Sequence, residues 1–282
     1  MLQSLFERKL TINCKGNLID LSTPKIMGVI NSTPDSFYDG GSYNEIDKAL
    51  KQVHKHLNDG ASFIDIGGYS SRPDAKHITT EEEIKRVIPL ILEINSQFPE
   101  AVISIDTFRS EVAEKAIKSG ASIINDISAG DLDTKMLETV ADLQVPYIAM
   151  HMKGTPQTMQ LNPLYNKDIA KEIIYYFSKK IETINKLNIN DIMLDVGFGF
   201  GKTIEDNYQL LSSLDLFKIF NIPILAGVSR KSMIYKPLEI KPSEALNATS
   251  VVHTIALQKQ VNILRVHDVK EAMECIKIVG LI

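Results

Sequence analysis

Residues 63–106 read FIDIGGYSSRPDAKHITTEEEIKRVIPLILEINSQFPEAVISID, and they contain the unit from which the rest of the chain is built. An apolar, β-branched run at 63–66 leads into a polar loop. A stretch at 81–98 then repeats its apolar residues at helical spacing, and a second apolar run follows at 102–105. Short apolar runs bounded by turn residues are the pattern of strands buried on both faces, and strand, helix, strand in succession implies a parallel β-α-β unit. Further runs at 25–30, 123–127, 146–150, 192–196, 223–228 and 263–266 bring the strands to eight, with helical periodicity at 109–119, 167–187 and 269–278.

Eight such units in 282 residues match a (β/α)8 TIM barrel, whose usual size is about 250 residues. The length alone also allows two domains, at about 100–200 residues each. No Pro/Gly/Ser-rich linker divides the chain, however, and the first run leads into NSTPDSFYDGG (31–41) rather than the Gly-x-Gly-x-x-Gly of a doubly wound sheet. We therefore expect a single barrel domain over 1–282. Within the first 23 residues, LTINCKGNLIDL (10–21) places Lys15-Gly16-Asn17 between two alternating segments, which predicts a short N-terminal β-hairpin plugging the barrel bottom.

Composition narrows the function. Apolar residues make up 44% and charged residues 23%, as in ordinary globular chains, and the formal charge of -4 is spread along the length. That argues against a nucleic-acid footprint, so any anion binding must be local. No apolar run approaches the ~18 residues of a membrane span. Charges at Glu7, Arg8 and Lys9 fall where a signal peptide would be apolar, so the expected compartment is the cytoplasm. Cys14 and Cys275 lie near opposite ends of the chain without metal-ligand spacing, and read as reduced structural thiols.

Nearly every apolar run ends in a polar residue or glycine: Asn31, Gly67-Gly68, Asp106, Asn125 with Asp126, His151, Asp195, Ser229-Arg230-Lys231, and Arg265 with His267. One Asp or Asn after a strand is commonly a helix cap. So many at the ends that share one barrel mouth indicate a site. Asp106, Asn125 and Asp195 would supply two carboxylates and an amide, suited to a planar, donor-rich heterocycle. Paired acids also serve glycoside hydrolysis, but the amide and nearby cations favour the heterocycle. Lys231, Arg265 and His267 follow strands 7 and 8, the frequent anion site of this architecture, and Ser232 opens a helical turn there.

The segment GFGFGKT (197–203) resembles a nucleotide loop, but that motif requires glycine at 196, where Val196 stands, so we reject it. Its glycines are expected to let the backbone approach a flat ligand, with Phe198 or Phe200 as an aromatic wall. The loops 31–41 and 67–75 are expected to lie over the cleft and exclude water. Asn31-Ser32-Thr33 also fits a glycosylation sequon, which a cytoplasmic chain would not use.

Seven blocks in order, IMGVINSTPDSF, IDIGGYSSRP, SIDTFRSEVAEKAI, INDISAG, LDVGFGFGK, GVSRKSM and ILRVHDV, carry a resemblance to the dihydropteroate synthase family over essentially the whole chain. The resemblance implies a homodimeric (β/α)8 barrel that joins 4-aminobenzoate to (7,8-dihydropterin-6-yl)methyl diphosphate and releases diphosphate. By the same resemblance, Asp106, Asn125, Asp195 and Lys231 hold the pterin, with Met150 packed on its ring. Asn31, Arg265 and His267 hold the diphosphate, and Asn31 is the protein ligand of a Mg2+ cofactor. Phe200, Lys231 and Ser232 border the aminobenzoate pocket, closed by Arg72 and Pro73; Ser71, Gly201 and Val266 complete the implied substrate-binding set. Asp106, Lys231, Arg265 and His267 are the implied catalytic residues.

The chain departs from the commonest family pattern at Tyr69 (usually glutamate), Ser71 (threonine), Asp74 (glycine) and Val196 (proline), which bears on affinity for aminobenzoate and sulfonamides. Two other readings stand beside the synthase. A non-catalytic pterin-binding relative should have lost Asn31, Arg72, Lys231, Arg265 or His267, all present here. A pterin methyltransferase barrel would have no use for the SRKS and RVH blocks.

Overall fold

The computed structural model describes residues 10–32, 43–70, 77–159, 163–165 and 168–282. Strands β1 (Thr11–Cys14) and β2 (Asn17–Asp20) pair antiparallel, with Cys14 opposite Asn17. The connection is thus the two residues Lys15 and Gly16, at φ 52° and 86°, the left-handed pair that such a tight hairpin demands. Asn17 belongs to the strand rather than to the turn expected from sequence.

Eight parallel strands follow: β3 (Lys25–Asn31), β4 (Phe63–Gly67), β5 (Ile103–Asp106), β6 (Ile123–Asp126), β7 (Tyr147–Met150), β8 (Ile192–Asp195), β9 (Ile224–Ala226) and β10 (Ile263–Val266). They form a closed barrel in chain order, sealed where Ile263 to Val266 of β10 pair with Lys25 to Gly28 of β3. The eight expected runs are these eight strands, with β9 occupying only Ile224–Ala226 of the run at 223–228. Around them lie α1 (Tyr43–Asn58), α2 (Thr80–Gln97), α3 (Ser110–Lys118), α4 (Met136–Leu143), α5 (Ile169–Lys186), α6 (Ile204–Ser212), a four-residue α7 (Ser232–Tyr235), α8 (Leu246–Gln258) and α9 (Val269–Val279), with a 3-10 turn at Leu214–Phe220. Caps fix where the helices begin. Thr79 accepts from the Glu82 amide ahead of α2, and Thr203 and Asp206 cap α6 reciprocally. Among the described residues no helix is long and apolar enough to cross a membrane.

Alternation along the strands sorts side chains between two apolar layers and the mouth. Outward residues such as Ile64, Ile105, Ile124, Leu194 and Leu264 pack beneath the helices in the larger core. Inward residues Met27, Phe63, Ile123, Ile148, Met193, Leu225 and Ile263 fill the bottom of the barrel, where Ile12, Cys14 and Leu21 of the hairpin segment pack against them. The expected plug is therefore present. Two residues onward, the same parity delivers Asp65, Asn125, Asp195 and Arg265 alongside Val29, Met150 and Gly227, so polar and charged groups enter the interior within one layer.

Asn262 ties the bottom together. Its amide accepts from the Ile224 N–H at 3.0 Å and donates to the Leu21 carbonyl at 2.9 Å, joining the hairpin exit to β9 and β10. Both groups are buried, so Asn262→Ala leaves a donor and an acceptor unpaired at a cost of about 2–4 kcal/mol. Calorimetry should show Tm falling by about 2–4 °C per kcal/mol for a chain of this size. An unchanged Tm would refute this role for the amide.

Candidate active site at the barrel mouth

The polar floor is organised around Arg265. From β10 its Nε donates to Asp65 Oδ2 of β4 at 2.6 Å, and its Nη2 donates to Asp106 Oδ2 of β5 at 2.6 Å. Asn125 of β6 adds a bond from Nδ2 to the same Asp65 oxygen at 3.1 Å, leaving Asp65 Oδ1 buried without a hydrogen-bond partner. The two carboxylates raise the affinity of the guanidinium for its proton against the opposing effect of burial. Burial pushes the Asp106 carboxyl above the usual range, and Asp65 adds to the rise while Arg265 opposes it. Asp106, its side chain 22% exposed, thus holds a carboxyl of raised proton affinity beside a fixed cation at the barrel mouth.

Asp195 ends β8 with its Oδ1 accepting from the Gly197 N–H at 2.7 Å. Burial raises its pKa, with Lys231 the largest opposing influence. Lys231 donates to the Phe198 carbonyl at 2.5 Å, and its ammonium lies 4.6 Å from the centre of the Phe200 ring. Burial lowers Lys231 to about 8, against the stabilising charges of Asp195 and Asp106. This lysine is no solvated surface cation.

The structure brings together Asp106, Asn125, Asp195, Lys231 and Arg265 as the strand-end pattern implied. Met150 is buried at the end of β7, its side chain against Gly197. Asn31 closes β3, half-buried and paired in register with Gly67. His267 is exposed just beyond β10, its Nδ1 3.1 Å from Ser229 Oγ. The surrounding protein, then the charge of Arg265, lower its pKa to about 4. Ser232 opens α7. Val266 is fully buried beneath the helices, so only its main chain can border the cleft. Ser71, Arg72, Pro73 and Asp74, with most of the 31–41 loop, lie outside the described residues.

Several strand-end residues serve the scaffold instead. Asp126 points outward and is fully buried, accepting from Ser128 N and Oγ, Gly130 N and the Tyr147 hydroxyl at 2.7–2.8 Å. Arg230, at φ 53°, turns to a bidentate pair with Asp268 at 2.7 and 2.9 Å and to the carbonyls of Pro242 and Ser243. His151 is buried; burial and the nearby Lys202 and Lys153 charges lower it to about 2. Phe198 belongs to the outer core, leaving Phe200 as the aromatic wall.

The glycines of 197–201 also do something other than expected. A Cβ on Gly197 would stand 1.9 Å from the His151 carbonyl oxygen, and one on Gly201 2.4 Å from that of Lys153. Both have positive φ, 70° and 63°. They permit close approach to the chain after β7, whereas the surface toward Lys231 is Gly199. Sequence reasoning missed Asp65 and Lys202. Asp65 sits inside an apolar run, yet it shares parity with Phe63 and Gly67, which is the signal that would have found it.

Comparison with known proteins agrees with this geometry. The family described as pterin binding enzyme matches residues 27–267. Dihydropteroate synthase of Escherichia coli (strain K12) is 43% identical over 267 residues, covering 94% of each chain. Among solved structures, Yersinia pestis dihydropteroate synthase in complex with a sulfonamide drug superposes with TM-score 0.89 at 38% identity, covering 96% of this chain and 98% of that one. The Xanthomonas albilineans dihydropteroate synthase with 4-aminobenzoic acid gives TM-score 0.89 at 34% identity, covering 96% and 97%. With its closed barrel, its mouth of acids and cations and this likeness along nearly all its length, the chain belongs to the pterin-binding enzyme family, among the dihydropteroate synthases, transferases of folate biosynthesis.

Proposed function

We propose that the mouth condenses (7,8-dihydropterin-6-yl)methyl diphosphate with 4-aminobenzoate to give 7,8-dihydropteroate and diphosphate, and that the whole chain, 1–282, serves as one domain around it. The observation that carries the residue assignment is the set of Asp106, Asn125 and Asp195 facing one cleft with Lys231 beside it. A pterin presents ring and exocyclic N–H donors along one edge and a carbonyl next to them. The two carboxylates and the amide accept from the donors, and the Lys231 ammonium donates a hydrogen bond to an acceptor on the ring. Met150 lies beneath this surface.

Arg265, His267 and Asn31 surround the position assigned to the diphosphate. Asn31 offers an amide oxygen of the hard kind that Mg2+ takes. Among the described residues no group of three or more His, Cys, Asp or Glu could hold a metal alone. A single protein oxygen suits a Mg2+ that draws its remaining ligands from phosphate oxygens and water. When bound, the ion would offset charge on the departing diphosphate. Arg265 has its charge fixed in place by Asp65 and Asp106, which removes reorganisation as the leaving group departs.

The reaction is a dissociative substitution. The C–O bond to diphosphate breaks, the exocyclic methylene carries positive charge delocalised into the pterin, and the aminobenzoate nitrogen then attacks it and loses a proton to water. Asp106 and Asp195 place negative charge beside the ring that becomes cationic. Phe200, Lys231 and Ser232 border the aminobenzoate, with Arg72 and Pro73 assigned by resemblance to closing its pocket. The chemistry and the buried, free Cys14 and Cys275 are compatible with a cytoplasmic enzyme.

A homodimer is the proposed assembly. Val251 and Ile255 are 54% and 36% exposed one turn apart on α8, and Lys259, a further turn along that face, bridges to Asp215 beside exposed Leu216 and Ile219. That apolar strip needs a cover, and a second copy supplies one. Light scattering should report a dimer for the parent and a monomer for Val251→Glu; an unaltered dimer places the interface elsewhere.

Diphosphate release by the purified protein tests the reaction, with pterin diphosphate, 4-aminobenzoate and Mg2+ each omitted in turn. Steady turnover without aminobenzoate, or none with all three, overturns it. Isotope exchange of diphosphate into the pterin substrate should occur without aminobenzoate; its absence favours concerted displacement. Asp106→Ala or Lys231→Ala should lower kcat/KM by about 10²–10³, the scale of a lost charged contact in a dry site, with the fold intact by circular dichroism. Because Lys231 must keep its proton, kcat/KM for the pterin should fall as pH rises through about 8. A flat profile from pH 7 to 9.5 would remove Lys231 from binding.

A further inference from the structure

Lys202, rejected as a nucleotide-loop lysine, is 3% exposed and lies just behind the pocket. Its ammonium donates to the Gly197 carbonyl at 2.8 Å and the Phe200 carbonyl at 3.0 Å, both in the glycine loop. It also reaches His151, the ring Nδ1 at 3.1 Å and the carbonyl at 3.4 Å, beyond the end of β7. One cation thus joins two loops whose backbones could not otherwise lie so close without mutual repulsion of their carbonyls. With the ring neutral, Nδ1 is the acceptor and the proton resides on Nε2.

The loop it fastens carries both contacts that orient the proposed pterin ligands at this side. The Gly197 N–H holds Asp195 Oδ1, and the Phe198 carbonyl and Phe200 ring hold Lys231. Lys202 contacts the carbonyls of Gly197 and Phe200, on either side of that segment. We propose that Lys202 is a positioning residue for pterin capture, fixing through the 197–201 loop where the Asp195 carboxylate and the Lys231 ammonium stand. It touches no substrate in this role. The inference rests on the pterin pocket assigned above.

A second consequence is electrostatic. Lys231 is faced by Asp195 from β8, Asp106 from β5 and Arg265 from β10, and its burial is completed by the glycine loop. Lys202 is faced by His151 and Lys153 from the chain after β7, by Asp195, by Asp206 of α6 and by Lys231 itself. Lys202, itself lowered to about 7, is largely neutral where Lys231 titrates, so its removal acts on Lys231 by loosening the loop that buries it. Fuller hydration then lets Lys231 keep its proton to higher pH.

The test is Lys202→Met, with binding of 6-hydroxymethylpterin by calorimetry and the pH profile of kcat/KM for the pterin substrate. We expect ring binding weaker by about tenfold, one lost oriented contact, and an alkaline limb displaced upward by about half a unit or more. A variant that binds 6-hydroxymethylpterin within about twofold of the parent and keeps its limb near pH 8 has lost stability alone, whatever its Tm, and overturns the proposal. Should Lys202→Met not fold, Lys202→Gln retains a donor toward one carbonyl and is read by the same two measurements and criteria. Lys231→Met is run in parallel. Unweakened ring binding there shows that the pocket assignment is wrong, and the inference falls with it; weakened binding there with none at position 202 rejects the positioning role alone.

Discussion

The sharing of Arg265 between Asp65 and Asp106 is the constraint around which the mouth is arranged. Asp65 and Asp106 come from neighbouring strands and would repel in a low-dielectric interior; a cation between them removes that penalty. The cation comes from β10, separated from β4 by β3, so the bridge spans the inside of the barrel and requires its closure. Such buried ion pairs contribute little net stability, because desolvating the three charges costs about what their attraction returns. What the arrangement supplies is direction. The guanidinium has its orientation set before substrate arrives, and Asn125 is aligned by the oxygen that Arg265 also uses.

Charge balance at the mouth follows from the same packing. Asp65, Asp106 and Asp195 stand against Lys202, Lys231 and Arg265, so these six groups sum to no net charge when all are ionised. A floor of that kind accommodates a neutral heterocycle and can let it become cationic, since the carboxylates of Asp106 and Asp195 are nearer the cleft than Asp65. It does not by itself neutralise a diphosphate. The proposed route to that neutralisation, a metal ion at Asn31, therefore answers a need that the described groups leave. A net charge of -4 for the chain is consistent with this, since positive charge is wanted at one end of one cleft.

Much of this was legible from residue order. Eight apolar runs with polar ends specify the barrel because every strand is buried on both faces, and the strand-end residues Asp106, Asn125, Asp195 and Arg265 have inward parity. The errors have separate causes. Asp126 follows Asn125 and, by strand alternation, turns into the scaffold; Arg230 lies beyond β9 in a left-handed turn that sends it to Asp268. Reading polar ends as a class grouped them with their neighbours. Asp65 escaped because it lies within a strand, and Lys202 because it ends an incomplete phosphate-loop motif. His151 was legible as buried-strand end but not as the acceptor for Lys202, a contact between residues 51 positions apart.

The glycine loop shows why a failed motif still carried information. Gly197 and Gly201 have positive φ, and side chains there would collide with backbone carbonyls of the chain after β7. The sequence requirement is thus tight contact between two main chains, which creates several converging carbonyl oxygens, and an ammonium is the group that offsets them. A lysine so used pays in solvation, and burial lowers Lys202 to about 7. That poise keeps the second cation from adding its full charge behind Lys231, which must itself remain protonated to donate to a ring acceptor. The depressed proton affinity of both lysines follows from one requirement: two backbones and a flat substrate have to meet where water is excluded.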